Sequence, residues 1–395
     1  MASSFGERLR VSVYGESHGN GIGVLIEGLP AGEQIDFEQL MRFMERRQGG
    51  RNALSTARKE PDIPEAVSGI FEGRTTGFPV CLQIANTNVR SGDYRNLIDC
   101  PRPSHADYSA YVKWQGNADM RGGGHFSGRL TAPICAAGGI AKQILARRGV
   151  FVGAHLKSVG SVQDELFPPL PDASLFAAIA EKAFPVISDT QGEKMQQEIL
   201  AAREALDSVG GVIECAIIGL PAGLGDPMFD GMENRLARVL FGIPAVKGLE
   251  FGDGFALSAM RGSQANDPFC LDDAGNVRTE TNRNGGILGG ITTGMPVRFS
   301  VGIKPTPSIS QPQKTVSLAE GKETTLEIKG RHDPCIAQRA VPVIEAAAAL
   351  VALDVLVPEV PPADSYWGSA PNPASGTLSL KNPIFRDWDA KEISL

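Results

Sequence analysis

Gly69–Val80 reads GIFEGRTTGFPV and Gly286–Val297 reads GILGGITTGMPV, identical at eight of twelve positions. Upstream of each lies a second matching pair, IEGLPAG (Ile26–Gly32) and IIGLPAG (Ile217–Gly223), identical at six of seven. The pairs occur in the same order, and each half ends in a charged loop that feeds a long apolar helix. Such ordered self-similarity is the mark of a duplicated unit. The reading is two pseudo-symmetric halves, roughly 9–150 and 205–355, folded around one core as a single large domain, 1–357. The proline-rich stretch 358–395 reads as a surface arm.

Local pattern fills in the halves. Strands are expected at Leu9–Tyr14, Ile22–Glu27, Ala66–Phe71 and Pro79–Ala85, then at Phe151–Leu156, Val212–Ile218 and Pro296–Ile303. Asp36 can cap a helix whose apolar face is Phe37, Leu40, Met41 and Met44. Further helices are expected over Thr131–Arg148, Ala173–Phe184, Gly192–Val209 and Met228–Leu240, and an alanine-rich one runs to Leu353. The stretch from Arg90 through Tyr108 and the spacer after Ser308 read as polar loops. With 46 glycines and 27 prolines in 395 residues, the class is a loop-rich α+β protein.

The net charge of −7 argues against a nucleic-acid binder. No stretch is apolar enough to span a bilayer, and MASSFGERLR has no signal-peptide core. The six cysteines are scattered, without a CxxC pair, and read as reduced thiols of a cytoplasmic protein. No HxxxH or HExxH occurs, so no metal site is expected. No GxGxxG joins a strand to a helix and no GxxxxGK[ST] occurs, which leaves a Rossmann site and a P-loop unsupported.

Basic and histidine-bearing loops stand out against that acidic background. Met120–Cys135 reads MRGGGHFSGRLTAPIC. Consecutive glycines let backbone N–H groups approach a ligand closely, and a helix start favours an anion. Arg121 and Arg129 add guanidinium forks suited to phosphate. Of the five histidines, His18, His105, His125 and His332 sit in loops at the ends of apolar elements, and only His155 lies in an ordinary strand. Imidazole moves protons near neutral pH. Arg46, Arg47, Arg51, Arg58 and Arg331 are either solvated surface charges or part of a phosphate cradle. From residues alone, the chain reads as an enzyme that binds phosphorylated small molecules and moves protons.

Three separated blocks resemble the chorismate synthase family: Gly15-Glu16-Ser17-His18-Gly19, Arg102-Pro103-Ser104-His105-Ala106-Asp107-Tyr108 running into Arg121-Gly122-Gly123-Gly124, and Gly330-Arg331-His332-Asp333-Pro334-Cys335. Arg46-Arg47-Gln48-Gly49-Gly50 and Lys304-Pro305-Thr306 fit as well. The resemblance implies a β-α-β sandwich with helices between the sheets, assembled as a homotetramer. It implies conversion of 5-enolpyruvylshikimate 3-phosphate to chorismate and phosphate, an anti 1,4-elimination without net redox change that needs reduced FMN. By the resemblance His105 protonates the departing phosphate, His18 protonates or stays charged beside the reduced flavin, and Asp333 relays a proton with Ser17 and Ser127. Lys304, Pro305, Thr306, Pro307, Ser308, Gly289, Ala245 and Arg331 match FMN positions, as do His125, Phe126 and Ser127. Arg47 and Arg129 match the arginines around substrate, to which Arg51 and Arg121 are added.

The chain departs from the family pattern at His125 and Phe126, where many members carry arginine and serine, and at Ala53, where Arg51 is the substitute expected. Ser104 stands where glycine is usual. No flavin-reductase domain is visible, so a monofunctional enzyme fed by an external source of reduced flavin is expected. NAD(P)H-dependent reduction of FMN by the pure protein would refute this. Two other readings remain: a flavin-dependent oxidoreductase, which would consume reducing equivalents stoichiometrically, and a non-catalytic phosphometabolite-binding protein, which would tolerate loss of His105.

Overall fold

Two five-stranded antiparallel sheets enclose a layer of helices in this computed structural model. It describes residues 3–50, 54, 60–87, 99–328 and 333–357. Arg51, Arg331 and the expected surface arm 358–395 lie outside the described residues.

The first sheet comes from β1 (Ser4–Phe5), β2 (Arg10–Gly15), β3 (Gly21–Glu27), β4 (Glu65–Ser68) and, past the hairpin of β5 (Ile70–Phe71) and β6 (Arg74–Thr75), β7 (Val80–Ala85). Its order is β1-β2-β3-β7-β4. The second comes from β8 (Phe151–Val159), β9 (Val162–Gln163), β10 (Gly211–Ile218) and β11 (Val246–Phe251). The hairpins β12 (Phe269–Leu271) with β13 (Val277–Thr279) and β14 (Ile287–Leu288) with β15 (Ile291–Thr292) follow, and then β16 (Val297–Ile303) completes the sheet. Its order is β11-β16-β10-β8-β9. A last hairpin pairs β17 (Gln313–Ser317) with β18 (Lys322–Leu326). The helices are α1 (Phe37–Glu45), α2 (Asp107–Trp114), α3 (Thr131–Ala146), α4 (Ala173–Glu181), α5 (Asp189–Glu204), α6 (Met232–Leu240), α7 (Gly262–Ala265) and α8 (Ala337–Leu356).

The two sheets share one plan. β2-β3-β7-β4 in the first sheet answers to β8-β10-β16-β11 in the second, and β9, α4 and α5 are inserted between β8 and β10. The repeated motifs make the same hydrogen bonds. Thr75 Oγ1 donates to the Pro30 carbonyl at 2.6 Å and accepts from Glu33 N at 2.9 Å. Thr292 Oγ1 does the same with Pro221 at 2.7 Å and Leu224 N at 2.9 Å. Thr76 N reaches the Gly69 carbonyl and Thr293 N the Gly286 carbonyl, both at 3.0 Å. Gly69 and Gly286 sit at φ of +79° and +78°, and a Cβ on either would stand about 2.5 Å from backbone oxygen. Only glycine fits such a position, so identity there reflects one backbone path used twice.

The core forms where each strand turns its apolar face inward: Val11, Val24, Ile26 and Leu82 on one sheet, Ile213, Cys215, Phe299 and Val301 on the other. Between them α3 and α8 are buried on nearly every side, as their mixture of Ala, Ile, Leu and Val requires. They cross closely, since a Cβ on Gly138 would lie 2.3 Å from the Cβ of Ala346. Asp36 caps α1 by accepting from Gln39 N at 2.9 Å, and Leu40 and Met44 turn inward against α3. Each such Leu or Met contributes about 1.5–3 kcal/mol by leaving water.

Two ion clusters lie inside this packing. Glu345 of α8 accepts both terminal nitrogens of Arg46, at 2.6 and 3.0 Å, and also Lys142 Nζ of α3. His155 of β8, fully buried, lies between Glu214 at 2.9 Å and Asp164 at 3.2 Å.

Several expectations shift. The strand expected over Ala66–Phe71 is broken at Gly69 by its positive φ, giving β4 and β5. The polar stretch after His105 holds α2, the spacer after Ser308 is the β17–β18 hairpin, and β11 is a strand that was not expected. The helix expected from Met228 starts only at Met232, after Gly231.

Candidate active site

A cavity of about 1320 Å³ opens where equivalent ends of the two halves meet. The C-terminal ends of α1 and α6, the N-terminal ends of α3 and α8 and the segment after β16 all reach it. Among the described residues, seven arginines and lysines line it against five carboxylates, a local excess of positive charge on a chain of net −7. The volume exceeds the roughly 300–1,000 Å³ usual for one small ligand.

Gly122, Gly123 and Gly124, all at positive φ, form a wedge between two histidines. A Cβ on Gly122 would stand 2.4 Å from His18 Cδ2 and 2.5 Å from Nε2; one on Gly123 would stand 3.5 Å from His105 Nε2. The backbone therefore lies against both rings. His18 and Ser17 are buried behind this wedge, and Ser17 N is tied to the Gly124 carbonyl at 3.1 Å.

His105 is held from its other side. Asp107 Oδ1 lies 2.6 Å from His105 Nδ1. Arg102 clamps the same carboxylate with Nε at 2.7 Å and a terminal nitrogen at 2.8 Å, and its other terminal nitrogen donates to Ser308 Oγ at 3.3 Å. Burial pushes the Asp107 carboxyl up, but hydrogen bonds from Arg102 and His105 overcome this and hold it far below the usual range. Asp107 is thus a carboxylate at any pH of interest.

Arg47 and Arg129 meet at Asp62. Arg47 donates to one carboxylate oxygen at 2.5 Å, and Arg129 donates to the other. Arg129 Nε also reaches Glu60 at 3.1 Å and Asn86 Oδ1 at 3.1 Å. Asp62 has a φ of +49°, a conformation few non-glycine residues adopt. Burial raises its carboxyl pKa, and the two guanidinium groups more than reverse that.

On the opposite wall Ala245, at φ +71°, accepts from Lys304 N at 3.0 Å. Lys304 Nζ donates to the Ser104 carbonyl, bridging this wall to the His105 segment. Burial and then the nearby Lys247 lower the Lys304 ammonium pKa. Asp333 receives Arg339 at 2.6 Å. Three buried polar atoms around the site, Ser17 Oγ, Arg47 Nε and Thr306 Oγ1, have no partner among the described residues.

The cavity thus gathers Arg47, His105, His125, Phe126, Ser127, Arg129, Ala245, Lys304, Thr306, Pro307, Ser308 and Asp333. His125 is engaged by protein on both nitrogens: Nδ1 at 2.8 Å from the Gly15 carbonyl and Nε2 at 2.7 Å from Ser3 Oγ. A carbonyl only accepts, so Nδ1 carries a hydrogen, and the ring ties the N-terminal residues to β2. Five expected residues do not line the cavity, Ser17 and His18 among them, buried behind the glycine wedge. Arg121 turns outward into an ion pair with Asp119 at 2.6 Å, Gly289 sits at the tip of the β14–β15 hairpin, and Pro305 faces an adjoining depression of about 610 Å³. Asp62, Glu60, Arg238, Lys247 and Arg339 line it without having been singled out. The Arg102 and Asp107 clamp stood in the quoted motif, but only His105 was read from it.

A family model described as chorismate synthase matches residues 9–357. The chain belongs to the chorismate synthase family. Chorismate synthase of Thermococcus kodakarensis is 48% identical over 353 residues, covering 89% of this chain and 97% of that protein. That of Methanocella arvoryzae is 46% identical over 355 residues, covering 90% and 94%. A crystal structure of chorismate synthase matches with a TM-score of 0.69 at 27% identity, over 89% of this chain and 92% of that one. Family membership makes the chain a lyase of chorismate biosynthesis, and the sandwich with its helical filling is the family fold.

Proposed function

We propose that this cavity binds 5-enolpyruvylshikimate 3-phosphate and reduced FMN together and carries out the anti 1,4-elimination that yields chorismate and phosphate. The observation that carries the reading is the convergence of His105, two buried arginines and Lys304 on one cavity. A departing phosphate needs positive charge and a proton donor at its oxygen. His105 presents Nε2 to the Gly123 side of the cavity and, as the imidazolium, gives up the Nε2 proton while keeping the one on Nδ1. Arg47 and Arg129 hold the anionic substrate, exchanging part of their contact with Asp62 for it.

The residues present suit a flavin. The backbone N–H groups of Thr306 and Ser308, the orphaned Thr306 hydroxyl and the Lys304 ammonium offer donors to a polar, phosphorylated chain. When bound, reduced FMN supplies electron density for breaking the allylic C–O bond. His18 behind the glycine wedge places a ring able to carry charge near that anionic cofactor. Asp333 accepts the released proton on its carboxylate, and the Ser17 and Ser127 hydroxyls support the relay. No added reductase domain is needed if reduced flavin arrives from outside, in the cytoplasm, to a homotetramer.

The test is anaerobic. Dithionite-reduced FMN and 5-enolpyruvylshikimate 3-phosphate are supplied to the pure protein. Equimolar chorismate and inorganic phosphate, with no reductant consumed, is the expected result. Stoichiometric oxidation of the flavin would favour an oxidoreductase and overturn the proposal.

A further inference from the structure

We propose that Asp107, clamped by Arg102, is a positioning residue that fixes the tautomer and aim of His105. The inference rests on the proton-donor role given to His105 above. A carboxylate held ionised by Arg102 has only lone pairs to offer, so its 2.6 Å contact must be filled by a proton on His105 Nδ1. Nε2 is then the nitrogen left for the cavity, on the side where Gly123 leaves room for a ligand. The 3.1 Å approach of an Arg102 terminal nitrogen to Nδ1 follows from the shared carboxylate, because two donors cannot bond each other.

The clamp is itself anchored. Arg102 N also donates to Asp107 Oδ2 at 3.0 Å, so the segment closes on itself across five residues. Arg102 and Asp107 are buried at 6% and 8% exposure, where their contacts are shielded from water. Arg102 continues to Ser308 Oγ, in the segment assigned to the flavin. One chain of contacts thus runs from the cofactor wall through Arg102 and Asp107 to the acid. Delivering a proton from Nε2 leaves the neutral ring with its hydrogen on Nδ1, the tautomer that the Asp107 carboxylate accepts; the reversed tautomer would set a bare Nδ1 against those lone pairs and turn the ring off its aim. An orienting carboxylate behind a catalytic imidazole serves this purpose in other enzymes.

The test combines kinetics with histidine ring ¹⁵N spectra of the full chain. The His105 signals are assigned by their absence in His105→Gln. In the wild type Nδ1 is expected to carry the proton in the neutral ring. Asp107→Asn, which can donate to Nδ1, is expected to move that proton to Nε2 and to lower kcat by about 10²–10⁴-fold while KM changes less than threefold. Asp107→Glu, which keeps an acceptor there, is expected to restore the tautomer and at least a tenth of kcat. If Asp107→Asn does not fold, the same two readouts on Asp107→Glu and Arg102→Lys decide the matter. An Nε2-protonated ring in the wild type, or unchanged tautomer and kcat in the Asp107 variants, overturns the inference. If His105→Gln retains full elimination while the tautomer behaves as expected, the proton-donor reading fails and the geometric one stands.

Discussion

Replacing Gly122 with alanine isolates what the glycine wedge does for His18. At φ +63° an added Cβ enters the left-handed region, at a backbone cost of about 1–2 kcal/mol. The larger effect is steric. The new methyl would stand 2.4 Å from His18 Cδ2, 2.5 Å from Nε2 and 3.0 Å from Ser17 Oγ, where carbon contacts settle near 3.5–4.0 Å. The ring has to retreat by about 1 Å, and at 6% exposure it has little space to do so. A displacement of that size at a reacting group is worth about 10²-fold in rate. We therefore expect Gly122→Ala to lose about 10²-fold in kcat in the anaerobic chorismate assay, with a stability loss of about 1–3 kcal/mol by urea denaturation. Gly124→Ala is the contrast. Its methyl would meet the Asp119 carbonyl oxygen at 2.1 Å, which is main chain and yields less readily. There the stability loss should exceed that of Gly122→Ala. Wild-type kcat in Gly122→Ala would refute the reasoning, because it would mean that His18 can move without consequence.

Three other outcomes follow from buried charge. Glu345→Ala leaves Arg46 and Lys142 without their shared carboxylate inside the helical layer, and a loss of about 3–5 kcal/mol is expected by denaturant titration. Burial pushes the Glu345 carboxyl up and the two cations more than reverse it, so its contribution is present above the ordinary value of 4.5 and fades as pH falls. A wild-type midpoint that falls between pH 5 and 3 more steeply than that of Glu345→Gln would show it. For His155, burial lowers the ring's pKa but hydrogen bonds to Asp164 and Glu214 raise it above 6.5. Its stabilisation is therefore full below pH 6.5 and is lost as pH rises through the raised value; the melting temperature of His155→Gln should converge on that of the wild type over that rise.

Much of the architecture was legible because duplication writes the same constraints twice. The Thr75 and Thr292 hydroxyls close the same two hydrogen bonds, and Gly69 and Gly286 turn the same corner, so their identity pointed to one plan before any strand order was known. The apolar strands and α3 followed from pattern. What failed was whatever depends on distant partners. β11 is polar and glycine-bearing by itself and becomes a strand only by pairing with β16. The β17–β18 hairpin exposes much of its length and offers little apolar alternation. At the site, two histidines read from loops, His18 and His105, lie against the adjacent glycines Gly122 and Gly123. Asp62 gave none: it sits between Pro61 and Ile63 in a loop, and its importance comes from two arginines contributed by α1's end and α3's start. Arg121 misled in the opposite sense, because glycines beside an arginine do not reveal that Asp119 is close enough to take it.

The duplication also accounts for why the cavity lies where it does. Elements that correspond between the halves converge on it in pairs: the ends of α1 and α6, and the starts of α3 and α8. A symmetric ancestor would have offered two equal walls. In this chain they have diverged in charge and in function. The end of α1 brings Arg47 and the start of α3 brings Arg129, both buried and both bound to Asp62. The end of α6 brings instead the turn Phe241–Lys247 with its left-handed Ala245, pinned to the strand that delivers Lys304. One wall is thus a rigid guanidinium cluster suited to a compact anion. The other is a backbone shelf with an ammonium at its edge, suited to a longer ligand. The proposed pairing of a phosphorylated substrate with reduced flavin calls for two unlike walls, and a repeat whose halves changed independently supplies them on one continuous core.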